Sequence, residues 1–417
     1  MRFAYTKPYY CEVEYLESTG TQYIDTDIVP TSTIKVETDF QLTSRPSDTF
    51  ASLFGCVNNS YQGFMLFLNY TVPIQARTGN NANPNVVSTY SVNTDRLNLI
   101  LEFNKLTINE NIFTPTSDNT WVTMDRTMYV FGGNDRAVNI SKRLVAAKIY
   151  SFKLRNNGTL VRDFIPVLDW NMTPCLYDRV SRRLFYNQGT GTFSYGREIH
   201  YVDYIETTGT QFVNTGLFPY NVGRWELDAQ FTTIEQINNN DQVNGVYGYT
   251  QQRFDIGVGV SRNPSKPPFI LNLGAIQDCL DADTNRHTFV LDNINNYVSV
   301  DDTQYLVSHV NFTTQTNYPI LIANRRYVNN TVNYYCKEKI YGSKFYDTNG
   351  TIISDFCPAK DKNGVGFLFD RITHSCFLNA GTGSFVLGNE KDNTPKQIRL
   401  LKTYDSGNIK TRLIEGD

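Results

Sequence analysis

The sequence YLESTGTQYIDT, at residues 15–26, returns as YIETTGTQFVNT at residues 204–215, which is 189 positions further along the chain. A second pair of segments closes each copy: YDRVSRRLFYNQGTGTF at residues 177–193 and FDRITHSCFLNAGTGSF at residues 369–385. Matching segments at both ends of so long a repeat indicate a duplicated domain, because solenoid repeats are only about 20–50 residues long. Any proposed site can therefore be compared with its counterpart in the other copy.

The composition favours a β-rich protein. Aromatic residues make up 13% of the chain, with 27 Tyr and 26 Phe, while charged residues make up 19%. Tyr, Phe, Thr and Val are the residues that strands prefer. The formal net charge of −3 removes the electrostatic basis for binding nucleic acid. Since no stretch approaches the roughly 18 consecutive apolar residues of a membrane span, we expect neither nucleic acid nor a membrane as a partner.

Alternation of apolar and polar residues predicts the strands. Residues 34–40 read IKVETDF, and residues 225–231 of the second copy, which alternate in the same way, read WELDAQF. The period of two places Ile34, Val36 and Phe40 on one face of a strand, and Trp225, Leu227 and Phe231 on one face of its counterpart. Because a shift of one residue would bury Lys35, Glu37 and Asp39 instead, this register is strongly specified. No segment sustains helical periodicity beyond two turns.

Many short strands in a domain of this length predict an all-β fold of two tandem antiparallel jelly-roll sandwiches. We place the first domain at residues 13–196 and the second at residues 202–389. Residues 1–12 would form an N-terminal arm, and residues 390–417 would form a C-terminal arm without a counterpart in the first copy. The first and last strands of each copy should lie side by side, because closing such a sandwich brings them together.

The opening and closing segments carry a resemblance to a known family. The opening YLESTGTQYIDT, with DFIPV at residues 163–167 and FYNQGTGTF at residues 185–193, resembles the LamG-like, concanavalin A-like jelly rolls of gut bacteriophage and Bacteroidales proteins. The second copy departs from this pattern by reading DFCPA at residues 355–359 and FLNAG at residues 377–381. The resemblance implies a structural or glycan-recognising module, although one jelly roll hosts many functions.

No cofactor or metal site is predicted from the cysteines. The chain has seven cysteines and no CxxC motif, which argues against zinc. Cys175 aligns with Phe367 and Cys357 aligns with Ile165, so we expect reduced thiols that pack as small hydrophobic groups. The acidic run Asp25-Thr26-Asp27 could supply oxygen ligands to Ca²⁺, but its counterpart Asn214-Thr215-Gly216 is neutral. Whether Ca²⁺ is bound stays open.

Exposed aromatic rings are the remaining route to a glycan site. Of the three tryptophans, Trp225 alternates with apolar residues and is predicted to lie in the core. Trp170 aligns with Lys362 of the second copy, which indicates an exposed turn. We therefore take Trp170 as the candidate ligand-binding residue.

Catalysis is not expected. Glycosidases on such folds use two carboxyl groups, about 5–5.5 Å apart in the retaining enzymes. The run Glu12-Val13-Glu14-Tyr15-Leu16-Glu17 imitates a catalytic strand, but the second copy lacks its first carboxylate. The segment also opens the domain, whereas a catalytic strand would lie in the middle.

The favoured function is that of a non-enzymatic bacteriophage virion structural protein, as a fibre, tail-associated or capsid-decorating subunit. The first residues contain no secretion signal, so we expect synthesis in the host cytoplasm and incorporation into the virion. The expected partners are other virion proteins, copies of the same chain and host-surface carbohydrate. One alternative is a carbohydrate-binding, lectin-like adhesin, and a further alternative is a glycoside hydrolase.

The two arms are the expected assembly contacts. Their apolar anchors are Tyr5, Tyr9, Tyr10, Ile398, Leu400, Leu401 and Tyr404. Such side chains gain roughly 1.5–3 kcal/mol each when they are buried in a partner. Ile398-Arg399-Leu400 also alternates like a strand that could pair with a neighbour's sheet edge. In the alternative, each arm folds back on its own domain.

Overall fold

The computed structural model divides the chain into two compact units. Residues 1–197, together with residues 392–417, form the first domain, and residues 198–391 form the second. The structure describes residues 7–46, 51–69, 71–81, 83–115, 118–135, 143–237, 240–247, 252–259, 267–274, 277–312, 318–326 and 331–391, and the backbone of residues 398–405 and 408–415.

The first domain is built of strands. In chain order they are β1 (Cys11–Val13), β2 (Leu16–Thr19), β3 (Ile24–Asp25), β4 (Ile34–Leu42), β5 (Ser52–Val57), β6 (Gly63–Phe67), β7 (Pro73–Gly79), β8 (Val86–Ser91), β9 (Arg96–Glu102), β10 (Lys105–Ile108), β11 (Asn111–Phe113), β12 (Tyr129–Val130), β13 (Ala146–Asn156), β14 (Thr159–Leu168), β15 (Pro174–Asp178), β16 (Arg183–Phe185) and β17 (Ser194–Tyr195).

The second domain repeats this order with one short 3₁₀ helix, Pro219–Asn221. Its strands are β18 (Glu198–Tyr201), β19 (Ile205–Glu206), β20 (Val213–Asn214), β21 (Arg224–Phe231), β22 (Gln242–Tyr247), β23 (Arg253–Val258), β24 (Pro268–Gly274), β25 (Asp278–Asp281), β26 (Arg286–Asp292), β27 (Tyr297–Val300), β28 (Thr303–Leu306), β29 (Leu321–Ile322), β30 (Arg325–Arg326), β31 (Glu338–Tyr346), β32 (Ile352–Lys360), β33 (Gly366–Asp370), β34 (Ser375–Leu378) and β35 (Val386–Leu387).

Each domain is a sandwich of a larger and a smaller sheet. The larger sheet of the first domain runs β11-β10-β9-β4-β13-β14-β15-β16, and that of the second runs β28-β27-β26-β21-β31-β32-β33-β34. The smaller sheets run β3-β12-β5-β6-β7-β8 and β30-β22-β23-β24-β25, with β20 and β29 paired beside the latter. All these pairings are antiparallel except β22 with β30. The predicted tandem jelly rolls are confirmed.

The alternating residues fill the space between the sheets as predicted. Ile34, Val36 and Phe40 are at most 1% exposed and belong to the core of the first domain. In the second domain Trp225 stacks on Phe254 and Phe345, with ring centroids 5.8 and 5.3 Å away. On β4 and β21, the side chains that alternate with these core residues lie on the opposite face of the larger sheet. We call this face the outer face.

The repeated opening and closing segments contact each other within each domain. Gln22 accepts a bond from the backbone N–H of Thr19 at 2.8 Å and donates to the carbonyl of Thr192 at 3.2 Å. Gln211 makes the same two bonds, with Thr208 at 2.8 Å and Ser384 at 3.1 Å. β2 also pairs with β17, as β19 pairs with β35. The repeated motifs therefore close each sandwich, which confirms the predicted proximity of first and last strands.

The strands begin earlier than the sequence suggested. β1 lies partly in the segment expected to be an arm, and it pairs with β14. β18 lies between the two predicted domains, at residues 198–201, and pairs in the same way with β32. The registers make Cys11 the counterpart of His200, since their partners Leu168 and Lys360 are themselves equivalent. The opening strand of each copy therefore belongs to its sandwich.

The C-terminal segment forms a hairpin of β36 (Ile398–Asp405) and β37 (Asn408–Glu415). Their register runs from Ile398 opposite Glu415 to Asp405 opposite Asn408. The strand predicted from Ile398-Arg399-Leu400 is thus present. Among the described residues, no helix has the length and apolarity needed to cross a membrane.

Candidate functional site

Trp170 lies on an exposed turn, as predicted. This residue is 40% exposed and lies in the loop between β14 and β15. The carboxylate of Asp169 holds this loop by accepting the backbone N–H groups of Asn171 and Thr173, both at 2.8 Å. The tryptophan ring is therefore presented on a fixed turn, which lowers the entropy cost of binding a ligand.

Other apolar groups surround the same turn. Met172 is 46% exposed, and Tyr186 is 40% exposed while its hydroxyl donates to Asp169 at 3.1 Å. Tyr10 approaches Trp170 edge-on with ring centroids 5.8 Å apart, and the indole N–H donates to the carbonyl of Lys7 at 3.4 Å. We call Tyr10, Trp170, Met172 and Tyr186 the Trp170 platform. Such rings offer apolar area to a sugar face and polar edges to its hydroxyl groups.

The second domain has the same turn without the platform. Asp361 accepts the backbone N–H groups of Asn363 and Val365, both at 2.9 Å. Lys362 takes the place of Trp170, and Gly364 takes the place of Met172. Both Met172 and Gly364 have a positive φ, of 62° and 80°. The turn is thus a property of the fold, while the aromatic ring is particular to the first domain.

A row of polar side chains follows the outer face of β4 and β21. It reads Glu37, Asp39 and Gln41 in the first domain, and Glu226, Asp228 and Gln230 in the second. This row could not be recognised as a unit from the sequence, because its partners come from strands far away in the chain. Its alternation with core residues was the available signal.

An arginine and a tyrosine complete the row in the first domain. Arg96 donates to both oxygens of Asp39, each at 2.8 Å, and its guanidinium lies 3.5 Å from the ring centroid of Tyr150. The hydroxyl of Tyr150 donates to Gln41 at 3.0 Å, and its ring meets Tyr15 at 5.4 Å. We call this set the tyrosine–arginine cluster.

The second domain builds the same cluster. Arg286 donates to Asp228 at 2.7 and 2.6 Å and lies 3.8 Å from the ring centroid of Tyr341. Tyr341 donates to Gln230 at 2.9 Å and meets Tyr204 at 5.6 Å. The register of the central strand pair shifts at the tyrosine in both copies. A β-bulge redirects a side chain in this way, so the bulge places the tyrosine under the arginine.

The clusters hold their carboxylates in ion pairs. Burial opposes the ionisation of Glu37, but Lys35 and Arg155 outweigh it and hold the pKa of Glu37 below its usual value. The hydrogen bonds that Arg286 donates to Asp228 raise the pKa of Arg286. Burial raises the pKa of Tyr150 to about 12, so this phenol stays protonated. Burial raises the pKa of Asp39, although the hydrogen bonds and charge of Arg96 oppose this shift.

The predicted assembly residues have several locations. Tyr9 is 5% exposed and packs against Ile165, Val167 and Tyr177 of its own domain. For Tyr9, the alternative in which the arm folds back on its own domain is therefore correct. Tyr9 is not an exposed anchor, because the apolar outer face of β14 and β15 covers it. Tyr10 belongs to the Trp170 platform. Tyr5 and the side chains of Ile398, Leu400, Leu401 and Tyr404 lie outside the described residues.

The acidic run proposed for Ca²⁺ serves a turn. Asp25 accepts the backbone N–H of Asp27 at 3.0 Å and the hydroxyl of Thr127 at 2.8 Å. Asn214 accepts the backbone N–H of Gly216 at 3.1 Å at the equivalent place. The two turns share an oxygen acceptor for the backbone N–H two residues further along the chain.

None of the seven cysteines, all of which lie within the described residues, forms a disulfide bond. Cys11, Cys56, Cys175 and Cys336 are buried, and the other three are half-buried. Burial raises the pKa of Cys56 and Cys175 to about 12. These thiols stay protonated at neutral pH and pack as hydrophobic groups, as the sequence predicted.

No family model matches the sequence, and no curated protein matches it. Among solved structures, the chain is similar to domains LG4–5 of the mouse laminin α1 chain, at 13% identity over 89% of this chain and 96% of that one, with a TM-score of 0.28. It is also similar to the LG1–3 region of the laminin α2 chain, at 12% identity over 80% of this chain and 61% of that one, with a TM-score of 0.26.

Proposed function

We propose that the chain is a non-enzymatic structural protein of a bacteriophage particle, and that its first domain contacts surface glycans through the Trp170 platform. The exposed, rigidly held ring of Trp170 is the observation that carries the glycan contact. The virion role is supported by the resemblance of the opening and closing segments to LamG-like jelly rolls of gut phages.

The outer-face rows support a non-enzymatic role. Glycoside hydrolysis needs two carboxyl groups, one of them protonated to act as the acid. The third position of each row is an amide, Gln41 or Gln230, and the two aspartates are each paired with an arginine. Polysaccharide hydrolysis by the purified chain that disappears in Glu226→Gln or Glu14→Gln would refute this part of the proposal.

The virion role has a direct test. Phage particles purified from the host that carries this gene should contain peptides of the chain, and labelled antibody should mark one position on the particle. Purified particles that contain no peptide of the chain would contradict the proposal. Deletion of residues 390–417 tests the arm, since a folded but unincorporated protein identifies it as the anchor.

The glycan contact is tested on an array with the variant Trp170→Lys. The second domain carries lysine in this turn, so the substitution is compatible with the backbone. We expect Trp170→Lys to lose the sugar-dependent signal, because stacking on the ring is lost. Tyr61→Ala, which removes another exposed aromatic group of the first domain, is the control and should bind normally. An unchanged signal in Trp170→Lys would refute the platform.

A carbohydrate-binding adhesin is the second candidate, and the concentration of exposed apolar groups around Trp170 favours it. The two candidates differ in where the protein works. An adhesin should bind host cells as a free chain, and the virion protein should be found in particles whether or not Trp170 is replaced.

A further inference from the structure

The second domain contains a cleft on the outer face of its larger sheet. Its volume is about 270 Å³, and it lies over β21, β31 and β32. The charged and reactive side chains that line it are Glu226, Asp228, Lys344, Asp355, Cys357 and Arg371. This volume is slightly below the usual range of about 300–1,000 Å³ for ligand sites, so the cleft suits a ligand the size of one sugar ring.

Two small residues open this cleft. The first domain has Ser151 where the second has Gly342, and Ile165 where the second has Cys357. In the first domain Ile165 is 1% exposed and packs with Tyr9 and Tyr177. Both positions therefore carry larger side chains in the first domain than in the second.

Three carboxylates and two cations line the cleft. Each carboxylate has an arginine partner, in the pairs Arg224–Glu226, Arg286–Asp228 and Arg371–Asp355. Lys344 has no ion-pair partner among the described residues. Arg371 engages Asp355 through Nε and Nη2 and is 48% exposed. Lys344 and the exposed guanidinium of Arg371 therefore offer charged hydrogen-bond donors to a single anionic group.

We propose that this cleft binds the carboxylate of an acidic sugar residue through Lys344 and Arg371. The neighbouring carboxylates of Glu226 and Asp355 would accept hydrogen bonds from the hydroxyl groups of the sugar ring. A polyol with one negative charge matches this arrangement, because it presents donors to the acceptors and an anion to the cations. The inference rests on the proposed glycan contact, and adds a second, chemically distinct site in the other domain.

The test uses the full chain and ligand-observed NMR titration. The probes are methyl glucuronide, methyl glucoside and inorganic phosphate. We expect the glucuronide to bind at least about tenfold more tightly than the glucoside, and Lys344→Ala to weaken it at least about tenfold, as loss of a charged hydrogen bond does. The matched control is Lys153→Ala, which removes the equivalent lysine of the first domain and should change nothing.

A second variant tests the cleft itself. Gly342→Ser with Cys357→Ile installs the residues of the first domain and should abolish glucuronide binding by filling the space. A Cβ at position 342 meets only the carbonyl oxygen of Phe356, at 3.4 Å, so the fold should survive. Unfolding by urea checks that it does.

The outcomes separate this inference from the proposed function. Glucuronide binding that survives Lys344→Ala but is lost in Trp170→Lys would overturn the cleft and support the platform. Glucoside binding as tight as glucuronide binding, or phosphate binding as tight, would overturn the acidic sugar as ligand. If the wild-type chain binds no sugar on the array or in the titration, both proposals fail.

Discussion

Glu338 should make the stability of the second domain depend on pH. It lies in the core and is fully buried at the start of β31. One carboxyl oxygen accepts a hydrogen bond from the side-chain amide of Asn244 at 3.2 Å. The other oxygen has no hydrogen-bond partner among the described residues. Burial raises the pKa of Glu338 from 4.5 to about 8. Ala147 occupies the equivalent place in the first domain.

The sign follows from the two pKa values. The folded protein holds Glu338 protonated up to pH 8, whereas the unfolded chain releases this proton near pH 4.5. The group therefore favours folding fully below pH 4.5, and this advantage is lost as the pH rises through 8. At about 1.4 kcal/mol per pH unit, the free energy of unfolding should fall by about 3 kcal/mol between pH 4.5 and pH 7.

The substitution Glu338→Gln removes the titrating group and keeps an acceptor for Asn244. Between pH 4.5 and pH 7, we expect the free energy of unfolding of the variant to rise by about 3 kcal/mol relative to that of the wild type. The measurement is urea unfolding followed by the fluorescence of Trp225, in a chain with Trp121→Phe and Trp170→Phe. This leaves one tryptophan, buried in the second domain.

The first domain provides the control. Followed through Trp121 in a chain with Trp225→Phe, its unfolding should be the same with Glu338 and with the glutamine substitution. If the wild type and Glu338→Gln keep a constant difference in unfolding free energy from pH 4.5 to pH 7, the reasoning is wrong, because Glu338 would then titrate alike in the folded and unfolded states.

Three further predictions concern stability. Burial opposes protonation of His287, but hydrogen bonds to two flanking aspartates prevail and raise its pKa. The wild type should therefore be more stable than His287→Leu below pH 6.5, and this difference should decline at higher pH. Urea unfolding at pH 5.5 and 8.5 measures it. Gly189→Ala should unfold the first domain at lower urea, because the new Cβ would lie 2.1 Å from the carbonyl oxygen of Thr21; an unchanged midpoint would contradict this. Trp225→Ala should cost about 3–5 kcal/mol, measured by thermal unfolding, and a loss under 1 kcal/mol would count against its place in the core.

The fold could be predicted from the sequence because its signals are local or repeated. Alternation over residues 34–40 determined which side chains of β4 face the core, and the two copies of the opening segment identified the domains. The early start of β1 and β18 was missed for a physical reason. Short strands such as Glu198–Tyr201 carry too few residues to show a period, and only their pairing with β32 identifies them.

The outer-face clusters could not be predicted in the same way. Arg96 reaches Asp39 across the pairing of β9 with β4, from 57 positions further along the chain. The bulge that turns Tyr150 outward interrupts the alternation on which strand prediction depends. Trp170 was found because its counterpart is a lysine, so that comparison between the copies revealed exposure that the local sequence alone did not.

The two copies separate what the fold needs from what each domain adds. The closing segments, the hydrogen bonds of Gln22 and Gln211, and the tyrosine–arginine cluster recur in both domains. Each joins strands that are distant in the chain, so each stabilises the fold. The differences lie elsewhere: Trp170 against Lys362 on the same turn, and Cys357 against Ile165 on the same strand. Because neither exchange alters the backbone around it, the fold requires neither of the two residues at its position. The duplicated scaffold therefore presents two different surfaces, an aromatic one in the first domain and a charged cleft in the second.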